Sequence, residues 1–190
     1  MLQQKRNESL LSEPRAEIIL RQPVAEDGAA VNRLISTCPP LDGNSVYCNL
    51  LQCTHFADTC VLVEREGEVI GFTSAYVLPR QVDTLFIWQI AVAESARGQG
   101  LAKRMLRHIL LRPVCAKVNC IETSVTPDNE ASRQLFLQLS ESIHGRCADS
   151  LLFERDRHFS GQHPDERLLH IRPEYGSVAF NLMSKREVFP

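Results

Sequence analysis

Apolar residues in this chain fall into short stretches of two kinds. Some alternate with a period of two and others recur at helical spacing. "EIILRQPV" (17–24) reads as a strand, and "AEDGAAVNRLISTC" (25–38) as a helix stopped by Pro39-Pro40. Over 44–57, Val46, Leu50, Leu51 and Cys53 recur at helical spacing, with Asn44 or Ser45 as N-cap. "TCVLVE" and "VIGFTSAYV" flank "REGE", a hairpin turn containing Gly67. "TLFIWQIAV" (84–92) is apolar at every phase, which predicts a central strand covered on both sides, with Phe86 and Ile90 sharing the face of Trp88.

Residues 101–112 set Leu101, Ala102, Met105, Leu106, Ile109 and Leu110 on one helical face, with Lys103, Arg104, Arg107 and His108 opposite. "KVNCIETSV" (117–125) is a further strand, and Thr126-Pro127 supply N-cap and N1 for a helix over "DNEASRQLFLQLS". A strand near 147–153, a polar loop "ERDRHFSGQHPDE" and a last strand "RLLHIRP" follow. No periodicity is visible over 173–190. The pattern predicts a single α/β domain over 17–172, between a disordered leader (1–16) and a C-terminal tail (173–190).

Composition narrows the function classes. The chain has 190 residues, 44% of them hydrophobic, and a formal net charge of −2, so no global field draws it to nucleic acid. Its seven cysteines are an odd number with no CxxC pair, and Cys60 and Cys120 sit inside apolar patterns as small hydrophobes. That usage indicates a reducing cytoplasm and no metal site. "MLQQKRNESLLSEPR" lacks the apolar core of a signal peptide, and no apolar run reaches the length of a membrane span.

The chemistry begins at "SARGQGLAKRML" (95–106). Neither GxGxxG nor GxxxxGK[ST] occurs. What remains is a strand, then Arg97-Gly98-Gln99-Gly100-Leu101-Ala102, then a helix. The glycines either let backbone amides approach an anion at a helix start or merely ease the turn, and the residues alone leave both open. "QIAVAESARGQGLAKRML" resembles motif A of the GCN5-related N-acetyltransferases (GNATs). "VTPDNEASRQLF" resembles their second hallmark, an Asn-x-x-Ala-x-x-x-Tyr helix, with Asn129, Ser132 and Phe136 at the matching positions. The resemblance implies a mixed sheet of about six or seven strands flanked by about four helices, an α/β fold. It also implies that acetyl-coenzyme A lays its pyrophosphate on the amides of Arg97, Gly98, Gln99, Gly100, Leu101 and Ala102. The pantetheine arm would pair with Ile90, Ala91 and Val92 and touch Asn129 and Ser132. Phe136 departs from the pattern: the family's tyrosine can protonate a departing thiolate, and phenylalanine cannot.

Longer strings, "PPLDGNSVYCNLLQCTHFADTC", "GFTSAYVLPRQVDTLFIWQIAV" and "HFSGQHPDERLLHI", resemble the branch of that family that acetylates the γ-amine of L-2,4-diaminobutyrate on the way to the compatible solute ectoine. Such an acceptor carries two ammonium groups, which call for carboxylates. Asp42 is either a turn cap or a contact to one ammonium. Glu122 shares its strand face with Val118 and Cys120, where desolvation would suit it to general-base work, unless it is a strand-end residue reaching water. By resemblance, Glu166 and His163 stand beside the acceptor, Glu166 as second choice of base. Trp88 is either core or a wall of that pocket. Tyr47 and His158 are weaker candidates, expected to pack. A homodimer is implied as well. Two other readings stay open at this point: an acetyltransferase for another small diamine or polyamine, and an acyl-CoA-binding module without turnover.

Overall fold

The computed structural model describes residues 17–184, so the leader expected over 1–16 lies outside the described residues. In chain order the elements are β1 (Ile18–Arg21), α1 (Gly28–Ser36), α2 (Val46–Thr54), β2 (Val61–Arg65), β3 (Glu68–Leu78), β4 (Gln81–Val92), α3 (Leu101–Leu110), β5 (Cys120–Val125), α4 (Glu130–Ser142), β6 (Gly145–Phe153), α5 (Arg155–Phe159), β7 (Glu166–Pro173) and α6 (Val178–Ser184). The strands form one sheet in the order β1-β2-β3-β4-β5-β7-β6, antiparallel except for β4 beside β5.

Local chemistry explains most boundaries. Between β2 and β3, Glu66 and Gly67 have φ of 52° and 81°, the pair of positive values that a type I′ turn requires. Ser45 caps α2 by accepting from the Cys48 amide at 3.1 Å. Asn129, not Thr126, caps α4: its side-chain oxygen accepts from the Ser132 amide at 3.1 Å, while Thr126 donates to Asp128. The helix therefore starts three residues later than Thr126-Pro127 suggests.

Two apolar cores lie against the sheet. The larger joins Leu85 and Ile87 of β4 to Leu101, Met105, Leu106 and Ile109 of α3 and to Phe136 and Leu139 of α4. The smaller joins Val31, Leu34 and Ile35 of α1 and Cys53 of α2 to Leu62, Phe72 and Ala91. The sheet count agrees with expectation, whereas among the described residues six α-helices stand where about four were expected. The extra two are α5, inside the polar loop, and α6, inside the segment expected to be a tail. Val178 and Leu182 of α6 are buried in the larger core, and the Arg107 guanidinium donates to the Leu182 carbonyl at 2.9 Å. Two apolar residues four apart were too short a signal to read as a helical face.

The expectation for β4 also needs correction. Ser74 pairs with Gln89 and Ala75 with Ile87, which leaves Trp88 as the extra residue of a β-bulge. One inserted residue reverses the alternation. Leu85, Ile87, Ile90 and Val92 all pack toward the larger core, while Ala91 packs into the smaller one. Ile90 thus does not share the face of Trp88, and Trp88 is 41% exposed instead of covered.

Candidate active site

Parallel pairing of β4 with β5 runs only from Thr84–Ile87 against Cys120–Thr123. Beyond it β4 continues on β3 alone, and the two strands part. The gap opens into a cleft of about 440 Å³. Its walls are Ile90 and Val92 of β4, the loop Arg97, Gly98 and Gly100, the start of α3 at Leu101 and Ala102, Asn129, Ser132 and Leu135 beside α4, and Cys38–Leu41 from the α1–α2 loop. Gly98 and Gly100 have φ of 74° and 72°, left-handed backbone that glycine adopts without strain. Gly100 is the N-cap of α3 and offers no side chain, so no side-chain cap covers the first turn of this ten-residue helix. Uncapped amides and the positive end of the helix dipole face the cleft, as an anion requires.

Nine of the eleven residues expected at the cofactor line this cleft. Two do not. The Ala91 side chain packs beside Phe72 on the far face because of the bulge, and the Gln99 amide turns back to the Ser95 carbonyl at 3.3 Å. Phe136 is buried in the larger core.

A second, polar region lies on the other face of the sheet. Glu122 sits at the β5–β7 register opposite His170, and its Oε1 is 2.8 Å from His170 Nδ1. Phe86 is the β4 partner of Glu122, and Tyr76 is the β3 partner of Phe86. Burial, and next the charge of Glu122, push the Tyr76 phenol up from its ordinary value. Tyr76 packs its ring on Phe86 and meets Trp88 edge-on at 6.4 Å between centroids. Glu166, at the head of β7, shares the strand face of His170. Its Oε1 lies 3.8 Å from His163 Nε2, while its Oε2 is buried without a hydrogen-bond partner. His163 Nε2 is 3.5 Å from Asp42, whose carboxylate is mostly exposed.

Asp42 is brought there by a chain of amides. Gln89, beside the bulge, donates to the Asp42 carbonyl at 2.9 Å and accepts from Asn44 at 2.5 Å. Asn32 of α1 then donates to the Asn44 carbonyl and to Asn49. Tyr47, expected to pack, is instead 69% exposed on the first turn of α2. His158 does pack, on Phe153, and accepts from the Glu154 amide. The expected acceptor residues therefore fall into an acidic cluster of Asp42, His163 and Glu166 and a second one around Glu122, with Trp88 bordering the face.

Residues 29–140 match the acetyltransferase (GNAT) family. The chain belongs to the GNAT family. Within it, the chain is 52% identical over 156 residues to an L-2,4-diaminobutyric acid acetyltransferase of Methylotuvimicrobium alcaliphilum, covering 82% of this chain and 91% of that protein. A Vibrio cholerae protein of the same description is 42% identical, covering 85% and 94%. Among solved GNAT structures, the diaminobutyrate acetyltransferase of Paenibacillus lautus, in complex with L-2,4-diaminobutyric acid and coenzyme A, is similar at a TM-score of 0.81 and 41% identity, over 85% of this chain and 98% of that one. Ard1 of Thermoplasma volcanium, at 16% identity and a TM-score of 0.66, shares the fold. Sequence reasoning passed over three residues that contact the expected ones: His170 beside Glu122, Tyr76 beside Trp88 and Gln89 beside Asp42. His170 was visible as the polar member of the alternation in "RLLHIRP", but its partner is set by cross-strand register.

Proposed function

We propose that this protein transfers the acetyl group of acetyl-coenzyme A to the γ-amine of L-2,4-diaminobutyrate, in a ternary complex, within the synthesis of the compatible solute ectoine. One observation carries the reading from the structure. A cleft with an uncapped helix start lies where β4 and β5 part, and the opposite face of the sheet presents carboxylates, Glu122 on β5 and, on β7, Glu166 with a buried oxygen that lacks a partner. The first feature suits a phosphorylated thioester, and the second suits a dication. The identity to relatives of that description supports the specific acceptor.

In this reading the pyrophosphate takes the amides between Arg97 and Ala102, and the pantetheine arm adds to the backbone of Ile90–Val92 where β5 has turned away. The γ-amine, with an ordinary pKa of about 10.4, must lose a proton before it attacks. Glu122 takes that proton, directly or through water. A backbone amide near Ile90 or Ala91 steadies the oxyanion. Asp42, His163 and Glu166 hold the other ammonium, and Trp88 with Tyr47 closes the acceptor side. Phe136 supplies no proton, so the coenzyme A thiolate departs as such or is protonated from solvent. The protein works in the cytoplasm, a reading that the seven free cysteines support. It works as a homodimer, which Leu151 and Phe153 support by standing 46% and 43% exposed on the outermost strand, β6. No helix among the described residues is long and apolar enough to cross a membrane.

Thiol release measured with diaminobutyrate, ornithine and lysine tests the assignment. Diaminobutyrate is expected to give much the highest kcat/KM, and equal values for all three would overturn it. Asp42→Ala is expected to raise the KM for the diamino acid and flatten that preference.

A further inference from the structure

Both ring nitrogens of His170 are engaged. Arg172 donates from Nε to His170 Nε2 at 3.0 Å and from a terminal nitrogen to the Asn119 side chain at 3.1 Å. A guanidinium can only donate, so Nε2 must accept, and the ring hydrogen is left on Nδ1. That hydrogen points to Glu122 Oε1 at 2.8 Å. The imidazole is thereby fixed as the neutral Nδ1–H tautomer, and it donates to a carboxylate that can only accept while ionised.

From this we infer that His170 is a positioning residue for acetyl transfer. Held in one tautomer by Arg172, it orients Glu122 and keeps it in the form that can take the proton of the acceptor amine. The inference rests on the reading of Glu122 as the base. Transfer of the amine proton to Glu122 leaves the His170–Arg172 hydrogen bond in place, so the ring need not flip during turnover. The register builds this in: Glu122 and His170 are directly paired residues on β5 and β7, and Arg172 is the next residue on the same face of β7.

Other groups around the pair do not supply the donor. Cys120, two residues before Glu122, places its Sγ 3.5 Å from both ring nitrogens, and burial pushes its thiol up, so it stands there as a neutral wall. Tyr76 faces Glu122 from β3 with a phenol that also stays neutral. From β6 the residue opposite His170 is Ala148, which carries no charge. Donor atoms of Cys120, Glu122 and His170 lie within 4.8 Å of one another, a spacing a divalent cation could use, but His170 Nε2 is already taken by Arg172.

The experiment compares pH profiles of kcat/KM for wild type, His170→Leu, His170→Asn and Glu122→Gln, with coenzyme A binding as the check of folding. His170→Leu is expected to lose about tenfold in kcat, part of the roughly 10²–10⁴-fold that a placed general base contributes. Its acidic limb should move to higher pH, because the ionised carboxylate has lost a donor. His170→Asn, whose amide N–H stands near the Nδ1 position, should recover most of the rate and return the limb. If Glu122→Gln is inactive but His170→Leu keeps the wild-type limb, the role of His170 is overturned and the base stands. If Glu122→Gln keeps full rate, the base and His170 fall together. A rate that drops on adding EDTA would assign the cluster to a metal and overturn the proposal. Should His170→Leu fail to fold, heteronuclear NMR of the wild type decides: the Nδ1–H tautomer across the neutral range supports the inference, and an Nε2–H tautomer ends it.

Discussion

Asp27 is a nearly buried carboxylate at the start of α1 that receives three hydrogen bonds. Both terminal nitrogens of Arg21 donate to it, at 2.7 and 2.8 Å, and so does the Val24 amide at 2.8 Å. The Arg21 guanidinium holds the Asp27 carboxyl below its ordinary range, against burial, which acts the other way. The sign of the pH effect follows. A carboxylate depressed in the folded state contributes stability above its unfolded pKa and loses it as pH falls through the folded value. Arg21→Gln is therefore expected to cost about 2 kcal/mol at neutral pH, the scale of hydrogen bonds to a charged group. The difference from wild type should shrink once the pH drops below about 4, where the unfolded carboxyl protonates. Urea melts at several pH values check this, and a gap that stays constant into acid would show that packing of the Arg21 stem dominates. At this scale Glu122 was legible, because a carboxylate in an apolar alternation needs an explanation within its own strand. His170 and Gln89 were not, because each is an unremarkable polar residue until pairing brings a partner from another strand or loop.

At the scale of elements, the bulge in β4 matters most. Period-two reading assumes an uninterrupted ladder, and "TLFIWQIAV" has no glycine or proline to announce an extra residue. The sequence therefore reads as a strand covered on both faces, whereas the bulge lets one strand border two separate regions. Trp88 looks onto the acidic face, and Ile90 and Val92 onto the cleft beside the glycine loop. The glycine loop, by contrast, was legible because left-handed backbone restricts residue choice so strongly. Two substitutions should separate the faces. Trp88→Ala is expected to raise the KM for diaminobutyrate about tenfold, the loss of roughly 1.4 kcal/mol of contact, with the KM for acetyl-coenzyme A unchanged. Gly100→Ala should do the reverse. No neighbouring atom lies within 4 Å of the added methyl, so its cost is the left-handed backbone at φ 72°, about 1 kcal/mol. It should weaken acetyl-coenzyme A binding and leave the diamine alone. Steady-state kinetics with each substrate varied in turn distinguishes these outcomes, and matching shifts in both KM values would mean that the two faces are coupled.

Across the whole molecule, α3, whose N-terminus opens on the cleft, is braced by α6. Leu182 of α6 packs beside Leu106 and Arg107 of α3 and Leu135 and Leu139 of α4, and Arg107 donates to its carbonyl. The α6 amide end is tied as well, with the Val178 N–H donating to the Val118 carbonyl at 3.1 Å just before β5. This long-range closure is what the sequence concealed: seven residues cannot display a periodic face, and most of their stability comes from a surface formed by distant parts of the chain. Because Leu182 does not itself line the cleft, the contact should govern stability more than binding. Leu182→Ala is expected to remove about 2–4 kcal/mol, the usual cost of emptying a buried leucine site. At temperatures where the variant remains folded, the KM for acetyl-coenzyme A should match wild type. Urea unfolding followed by circular dichroism measures the first quantity and initial rates the second. A raised KM in a stably folded variant would instead mean that α6 sets the position of α3, and so extends the cofactor site into a segment that carries none of its contacts.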